Sequence, residues 1–165
     1  MLNLVKELHK DMWVIFDLDG TLADIEDRRK LCTKENGKMD WNEFFNPKNI
    51  SLDKPFFKII TLATIFRNTG FNIAILSGRS ESTKDATKEW LKKYNVPYHI
   101  LKMRPTNDKW KYISDDKLKQ NWLDELWPLN ERKDKLFMVF DDRKKVVDMW
   151  RKNNLTCCQV AEGNF

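Results

Sequence analysis

A chain of 165 residues lies within the size range of a single domain and is long enough to bury a core without disulfides or structural metals. Its hydrophobic fraction of 41% excludes a disordered chain, and it has no apolar run of about 18 residues that would predict a transmembrane helix. The net charge of +5 permits an anionic partner without requiring one. We expect one domain, residues 1–165, without membrane association.

Cysteine and histidine usage argues against several chemistries. The odd set of Cys32, Cys157 and Cys158 has no metal-binding spacing and favours reduced thiols, with the last two buried in an apolar run. His9 and His99 are too few for a histidine-rich zinc site or for catalysis based on histidine. The N-terminus lacks the apolar core of a signal peptide, which predicts a cytoplasmic protein.

Strands and helices alternate along the predicted chain. We predict strands over 12–17, 71–76, 98–103, 136–140 and 155–160, helices over 54–68, 80–94, 115–127 and 142–153, and a short helix or arm over 2–9. The helix over 54–68 is expected to bury Phe57, Ile60, Leu62, Ala63 and Phe66. This order predicts an α/β fold, a three-layer Rossmann-like parallel sheet with helices on both faces.

The segment from about 23 to 54 is polar but contains aromatic residues. Asp40 is a predicted N-cap for a short helix that carries Trp41, Phe44 and Phe45. The segment is too short for a domain and too aromatic for a plain loop. We expect a small helical cap insertion beside the end of the first strand.

Polar residues follow three of the predicted strands. They are Asp17 and Asp19 after the first strand, Ser77 and Arg79 after the second, and Asp141 and Asp142 after the fourth. Because parallel strands end at the same edge of a sheet, these side chains are expected to meet there. Four crowded carboxylates need a cation, and oxygen ligands without histidine or cysteine favour Mg²⁺. A carboxylate can also act as a nucleophile towards phosphorus.

A lysine near these acids would neutralise a transferring phosphoryl group. Lys119 is the candidate because Asp115, one helical turn earlier, could hold it; Lys117 lacks that partner.

The stretch Phe16-Asp17-Leu18-Asp19-Gly20-Thr21-Leu22 resembles the first motif of the haloacid dehalogenase-type phosphatases. Ser77, Lys119 and Asp141-Asp142 match the second, third and fourth motifs in order. Ser77-Gly78-Arg79 and the stretch after Asp142 further resemble the 3′-phosphatase half of bacteriophage polynucleotide kinase/phosphatases. The G-x-x-x-x-G-K-[ST] motif of a kinase is absent from the sequence, so kinase activity is not predicted.

The resemblance implies a role for each matching residue. Asp17 would be the nucleophile and a Mg²⁺ ligand, and Asp19 the general acid and base, with its backbone carbonyl on the metal. Asp142 is the favoured further metal ligand, and Asp141 would support the metal or the lysine. The remaining implied residues are Ser77 and Lys119 as catalytic contacts to the phosphoryl oxygens, and Arg28, Gly78, Arg79 and Asp115 in substrate binding. Simpler alternatives are a solvated charge run for Arg28 and a helix-start ion pair for Arg79.

The leading hypothesis is a Mg²⁺-dependent phosphomonoesterase that removes 3′-phosphates from nucleic-acid ends through an aspartyl-phosphate. The basic and aromatic stretch over 102–119 suits such a substrate. The alternative is a phosphatase for free nucleoside monophosphates or another small metabolite. A phospho-receiver domain would need an aspartate after the third strand, where the sequence reads Leu101-Lys102-Met103-Arg104. A homo-oligomer, a separate kinase or ligase partner, and the cytoplasm of a bacterial host for a phage-encoded chain are compatible with this hypothesis.

Overall fold

The structure, a computed structural model, describes residues 2–163 apart from the side chains of residues 2–5, 108 and 111. Its strands are β1 (Trp13–Phe16), β2 (Ala23–Asp24), β3 (Lys54–Pro55), β4 (Asn72–Ser80), β5 (Ile100–Arg104), β6 (Leu136–Asp141) and β7 (Cys157–Gln159). Its helices are α1 (Leu2–His9), α2 (Glu26–Cys32), α3 (Trp41–Phe44), α4 (Phe57–Asn68), α5 (Lys84–Lys93), α6 (Asp108–Lys111), α7 (Asp115–Leu126), α8 (Arg132–Lys135) and α9 (Lys144–Lys152). Among these residues, no helix has the length and apolar character needed to cross a bilayer.

The central sheet contains five parallel strands in the order β5-β4-β1-β6-β7. The chain adds β4 and β5 on one side of β1 and then crosses to add β6 and β7 on the other. Phe16, at the end of β1, therefore pairs with Ile75 of β4 and with Phe140 of β6. In open α/β sheets, the point where the strand order reverses leaves a crevice at the carboxyl ends of the strands. The topology places that crevice between β1 and β6.

Alternate residues of β1 pack against opposite layers of helices, as the two-residue period of a strand requires. Val14 and Phe16 belong to a core with α4, α5 and the segment between β2 and β3. Ile15 belongs to a second core with α7 and α9, in which Trp150 is fully buried. The predicted three-layer α/β fold is confirmed.

The segment between β2 and β3 contains α2, α3 and a 3-10 helix, Pro47–Leu52. β2 and β3 pair antiparallel and close the segment at its base. Asp40 is the N-cap of α3, as predicted, and its side chain accepts from the backbone N–H groups of Asn42 and Glu43. Trp90 of α5 donates from Nε1 to the carbonyl of Asp53, which joins the end of the segment to the main core.

Several sequence predictions were wrong in detail. Phe57 and Leu62 of α4 are 65% and 37% exposed, because the face of α4 that meets the sheet is narrower than the apolar pattern. Cys158 is exposed, because β7 lies at the sheet edge and is covered only in part, with Gln159 exposed as well. β4 continues to Ser80 instead of ending at Leu76.

Candidate active site

Asp17 and Asp141 lie at the ends of the adjacent strands β1 and β6, on either side of Lys119. The Lys119 ammonium donates to Asp17 Oδ1 at 2.6 Å and to Asp141 Oδ2 at 2.8 Å. Trp150 Nε1 donates to the same Asp141 oxygen at 3.2 Å from the core beneath the site. α7 delivers the lysine because its neighbours Leu118 and Trp122 are buried against the sheet. The crevice predicted by topology thus holds a bridged pair of carboxylates.

The protonation of this cluster is shifted by burial. Burial raises the pKa of Asp17 well above its ordinary value, with Lys119 opposing and the other acids adding to the shift. Burial and the neighbouring Asp141 raise the pKa of Asp142 to about 6. Burial alone would lower the pKa of Lys119, but the carboxylates of Asp141 and Asp17 raise it, so the lysine stays charged. Without a further cation beside Lys119, the protonated forms of Asp17 and Asp142 are therefore favoured more than in an ordinary carboxyl group.

The three carboxylates of Asp17, Asp141 and Asp142 fit a metal ion. One ligand oxygen from each lies within 4.8 Å of the others. Asp142 Oδ2 is buried and has no hydrogen-bond partner in the described part of the chain. A buried carboxylate oxygen without a partner is costly, and a cation would satisfy it. An all-oxygen donor set of this kind suits a hard divalent cation.

Two glycines leave room for Asp142. A Cβ atom at Gly20 would overlap Asp142 Oδ2, and one at Gly163 would lie 2.5 Å from it. Gly20 also has a φ of +83°, which the sharp turn after Asp19 requires and which glycine adopts without strain. Gly20, the glycine of the first motif, therefore allows both the sharp turn after Asp19 and the close approach of Asp142 from the neighbouring strand β6.

Asp19 lies outside this cluster and belongs to a second network. Its two oxygens accept from Arg79 Nε at 2.5 Å and from Arg28 at 3.0 Å. The same two arginines donate to Asp53, Arg28 through Nε at 2.8 Å and Arg79 through Nη2 at 2.5 Å. Arg28 also lies over the ring of Phe44, 4.2 Å from its centroid. The two buried guanidinium groups and the two carboxylates balance in charge.

This network fixes the charge of Asp19. Burial alone would raise the pKa of the Asp19 carboxyl, but Arg79 and Arg28 lower it below its ordinary value. Burial raises the pKa of Asp53 to about 6, and the nearby Asp19 carboxylate adds to the shift that Arg79 and Arg28 oppose. Asp19 is thus held as a carboxylate at the mouth of the site, in the state of a general base.

Gly78 and Arg79 form a bulge of β4 that begins directly after Ser77. Ser77 pairs with Met103 and Ser80 with Arg104, so two extra residues on β4 project out of the ladder. The buried Ser77 Oγ accepts from the backbone N–H of Arg79 at 3.2 Å. The bulge directs the Arg79 side chain towards Asp19 and explains why β4 runs past its predicted end.

Asp115 does not hold Lys119 as predicted. Its carboxylate pairs with Arg104 and Arg143, while the lysine binds Asp17 and Asp141. Arg104 also donates to the carbonyls of Gly78 (3.1 Å), Trp110 (2.8 Å) and Ile113 (2.7 Å). Asp115 lies so close to Gly78 that a Cβ there would be 2.7 Å from Asp115 Oδ1. Together these contacts fasten the connection before α7 to the bulge in β4.

The structure thus divides the predicted site residues among three adjoining groups. The acidic cluster contains Asp17, Asp141, Asp142 and Lys119. The arginine network contains Asp19, Arg28 and Arg79. The third group lies at the bulge in β4 and contains Ser77, Gly78 and Asp115. The roles implied for them stay predictions.

Sequence reasoning missed Asp53, Arg104 and Trp150. Asp53 is one acid in a polar linker with no local motif, and its partners are 25 and 26 residues away. Arg104 belongs to the basic and aromatic stretch that suits a nucleic-acid substrate, but its side chain is bonded inward to Asp115 and to backbone carbonyls. Lys102 and Lys119 of that stretch are also bound to acids, so half of its six basic residues are neutralised within the fold.

A family model for the polynucleotide kinase PNKP phosphatase domain matches residues 11–165. The chain is 31% identical to a "putative bifunctional polynucleotide kinase/RNA ligase" of Autographa californica nuclear polyhedrosis virus, over 84% of this chain and 17% of that protein. It is also 31% identical to a chain in a structure of the Pnkp1/Rnl/Hen1 RNA repair complex, with a TM-score of 0.72 over 94% of this chain and 44% of that chain. This chain therefore spans less than half the length of these two relatives.

A haloacid dehalogenase-like hydrolase from Streptococcus pneumoniae has the same fold, with a TM-score of 0.61, 14% identity, and coverage of 90% of this chain and 83% of that one. The match of the family model covers almost the whole chain and includes all three groups of site residues. The chain belongs to the family of polynucleotide kinase PNKP phosphatase domains and is a phosphoric monoester hydrolase of the haloacid dehalogenase type.

Proposed function

We propose that the protein removes 3′-phosphates from nucleic-acid ends through an aspartyl-phosphate on Asp17. The observation that carries this proposal is the Lys119 ammonium between Asp17 and Asp141, at the crevice where β1 and β6 end. A buried carboxylate beside a fixed cation can approach a phosphate that free carboxylates would repel. The family match supports the polymer end as substrate.

In the first step, an oxygen of Asp17 attacks phosphorus while the bond from phosphorus to the substrate's 3′ oxygen breaks. Lys119 and Ser77 hold the phosphoryl oxygens, and the leaving oxygen receives a proton from Asp19. Arg79 and Arg28 oppose protonation of Asp19, so its action as a general acid in this step is less favoured than its action as a general base in the next. The alcohol leaves, and the phosphoryl group remains on Asp17.

In the second step, water attacks the phosphorus of the aspartyl-phosphate. Asp19 accepts a proton from that water, the bond from phosphorus to Asp17 breaks, and inorganic phosphate leaves. The lowered pKa keeps Asp19 in the carboxylate form at neutral pH, which is the form that can accept this proton. The free carboxylate of Asp17 is restored.

Mg²⁺ is the proposed cofactor, held by Asp17 and Asp142, with Asp141 supporting either the metal or Lys119. When bound, it would neutralise phosphoryl charge and favour the ionised form of the carboxylates. The unpartnered Asp142 oxygen and the raised pKa of this acid support the assignment. The backbone carbonyl of Asp19 remains a proposed further ligand.

The relatives suggest which polymer and partners to test first. One belongs to an RNA repair complex and the other is named for kinase and RNA ligase activities. RNA ends are therefore the first substrate, and a separate kinase or ligase is the first class of partner to examine.

The test is Mg²⁺-dependent release of phosphate from matched substrates. These are 3′-phosphorylated and 5′-phosphorylated oligonucleotides and the corresponding 3′- and 5′-mononucleotides, with Asp17→Asn as the inactive control. Preference for the 3′-phosphorylated oligomer supports the proposal. Preference for mononucleotides would retain the chemistry and replace the substrate class, and no release by a folded protein would refute the proposal.

A further inference from the structure

An apolar groove of about 440 Å³ opens beside the site, between the start of α4 and the chain after β7. It is lined by Gly20, Thr21, Pro55, Phe56, Phe57, Lys58, Ile59, Val160 and Ala161. Phe56 and Phe57 are 37% and 65% exposed, although large aromatic side chains are usually buried. The proposed phosphatase mechanism gives neither ring a role.

The groove is continuous with the acidic cluster. A neighbouring cavity of about 380 Å³ contains Asp142 and shares Gly20, Phe56 and Ala161 with the groove. Gly20 lies directly against the Asp142 carboxylate. A group bound in the groove would therefore be adjacent to a phosphate held at the cluster.

The neighbouring cavity and the apolar groove differ in the charge of the residues that line them. The neighbouring cavity is lined by the acids Asp24, Glu26 and Glu162 in addition to Asp142, with Arg29 as its basic residue. Among the described residues that line the apolar groove, Lys58 is the one charged side chain. A polyanionic strand is repelled by the acidic wall and attracted by the lysine. These charges favour a path in which the nucleic-acid strand runs away from the acidic cavity and along the apolar groove.

We infer that this groove binds the base of the nucleotide that carries the 3′-phosphate, with Phe57 as its stacking platform. The inference rests on the proposed function and specifies how its substrate is held. Aromatic side chains bind bases of any sequence by stacking, which suits an enzyme that acts on ends. Lys58, next to Phe57, is placed for the preceding backbone phosphate.

The Phe57 ring is held in place before substrate binds. It contacts Tyr94, the C-cap residue of α5, nearly perpendicularly, at 6.3 Å between ring centroids. Its helix is fixed by the buried Ile60 and Ala63. A pre-positioned ring loses little conformational freedom on binding, so most of the stacking energy is available for affinity.

The test compares two 3′-phosphorylated oligonucleotides that differ only in their last nucleotide, one with a base and one abasic. Both keep the phosphate, the sugar and the remaining strand. For the unaltered protein we expect kcat/KM to be about tenfold higher with the base, equivalent to about 1.4 kcal/mol. Phe57→Ala should lower kcat/KM for the base-ended substrate about tenfold and leave the abasic one unchanged, whereas Phe57→Trp should retain the preference.

Ile65→Ala is the matched control, because Ile65 is 51% exposed on the same helix and does not line the groove. It should behave as the unaltered protein does. Equal kcat/KM for the two oligonucleotides, or the same loss on both in Phe57→Ala, would overturn the inference and leave the proposed function standing. Absence of turnover on both substrates by the unaltered protein would instead be a failure of the proposed function.

Discussion

Replacing Lys119 by methionine keeps the volume of the side chain and removes its charge from the acidic cluster. The ammonium lies 2.6 Å from Asp17 and 2.8 Å from Asp141, and its side chain is almost fully buried. Each contact is worth a gross attraction of about 6 kcal/mol at an effective dielectric constant of about 20. Desolvation of the buried charges cancels much of this sum.

Proton uptake limits the cost of the substitution. A carboxyl with an ordinary pKa of 3.8 can be protonated at pH 7 for about 4.4 kcal/mol, and at pH 5 for about 1.6 kcal/mol. If one proton replaces the lost ammonium, Lys119→Met should destabilise the metal-free protein by about 4 kcal/mol at pH 7 and about 1.6 kcal/mol at pH 5. The native variant then binds more protons than the unfolded chain, so its stability falls as pH rises through this window.

Urea unfolding followed by tryptophan fluorescence, in EDTA at pH 5, 6 and 7, measures the free energy of unfolding. Lys117→Met is the matched control, because Lys117 is an exposed lysine on the same helix; it should leave stability unchanged. A loss below about 1 kcal/mol at pH 7, or a loss that does not change with pH, would refute the reasoning. Lys119→Met should also abolish phosphatase activity.

Three further predictions concern the surrounding groups. Arg79→Lys keeps the charge but cannot bind two carboxylates as a fork, so kcat should fall about 100-fold in a phosphate-release assay, with the exposed Arg67→Lys unchanged. Gly78→Ala places a Cβ 2.7 Å from Asp115 Oδ1, so kcat should fall about 10- to 100-fold while circular dichroism stays the same; full activity would contradict this. In the absence of metal the pKa of Asp142 is about 6, so Mg²⁺ binding should release a proton at pH 5.5 and weaken about tenfold per pH unit below 6. Calorimetry in two buffers with different ionisation enthalpies measures the proton release, and Mg²⁺ affinity that does not change with pH would contradict the prediction.

The sequence predicted the parallel sheet, because short apolar runs separated by helical patterns leave few other arrangements. It also predicted that Asp17, Asp141 and Asp142 meet, since they follow buried strands and parallel strands end at one edge. It was wrong to place Asp19 with them, because that carboxylate turns to Arg28 and Arg79. The family resemblance rested on the same residues, and the family match confirms it. In each case the signal was local: a strand, a turn glycine and an acid within a few positions.

Only the tertiary structure decided the partners of the long charged side chains. Asp115 pairs with Arg104 and Arg143 instead of the lysine one turn away, and Asp53 joins Arg28 and Arg79 from a linker that carries no motif. Ion pairs of this kind depend on which segments are folded against one another and on how deeply they are buried. Sequence spacing encodes neither, because a buried charge takes whichever opposite charge the fold brings within reach.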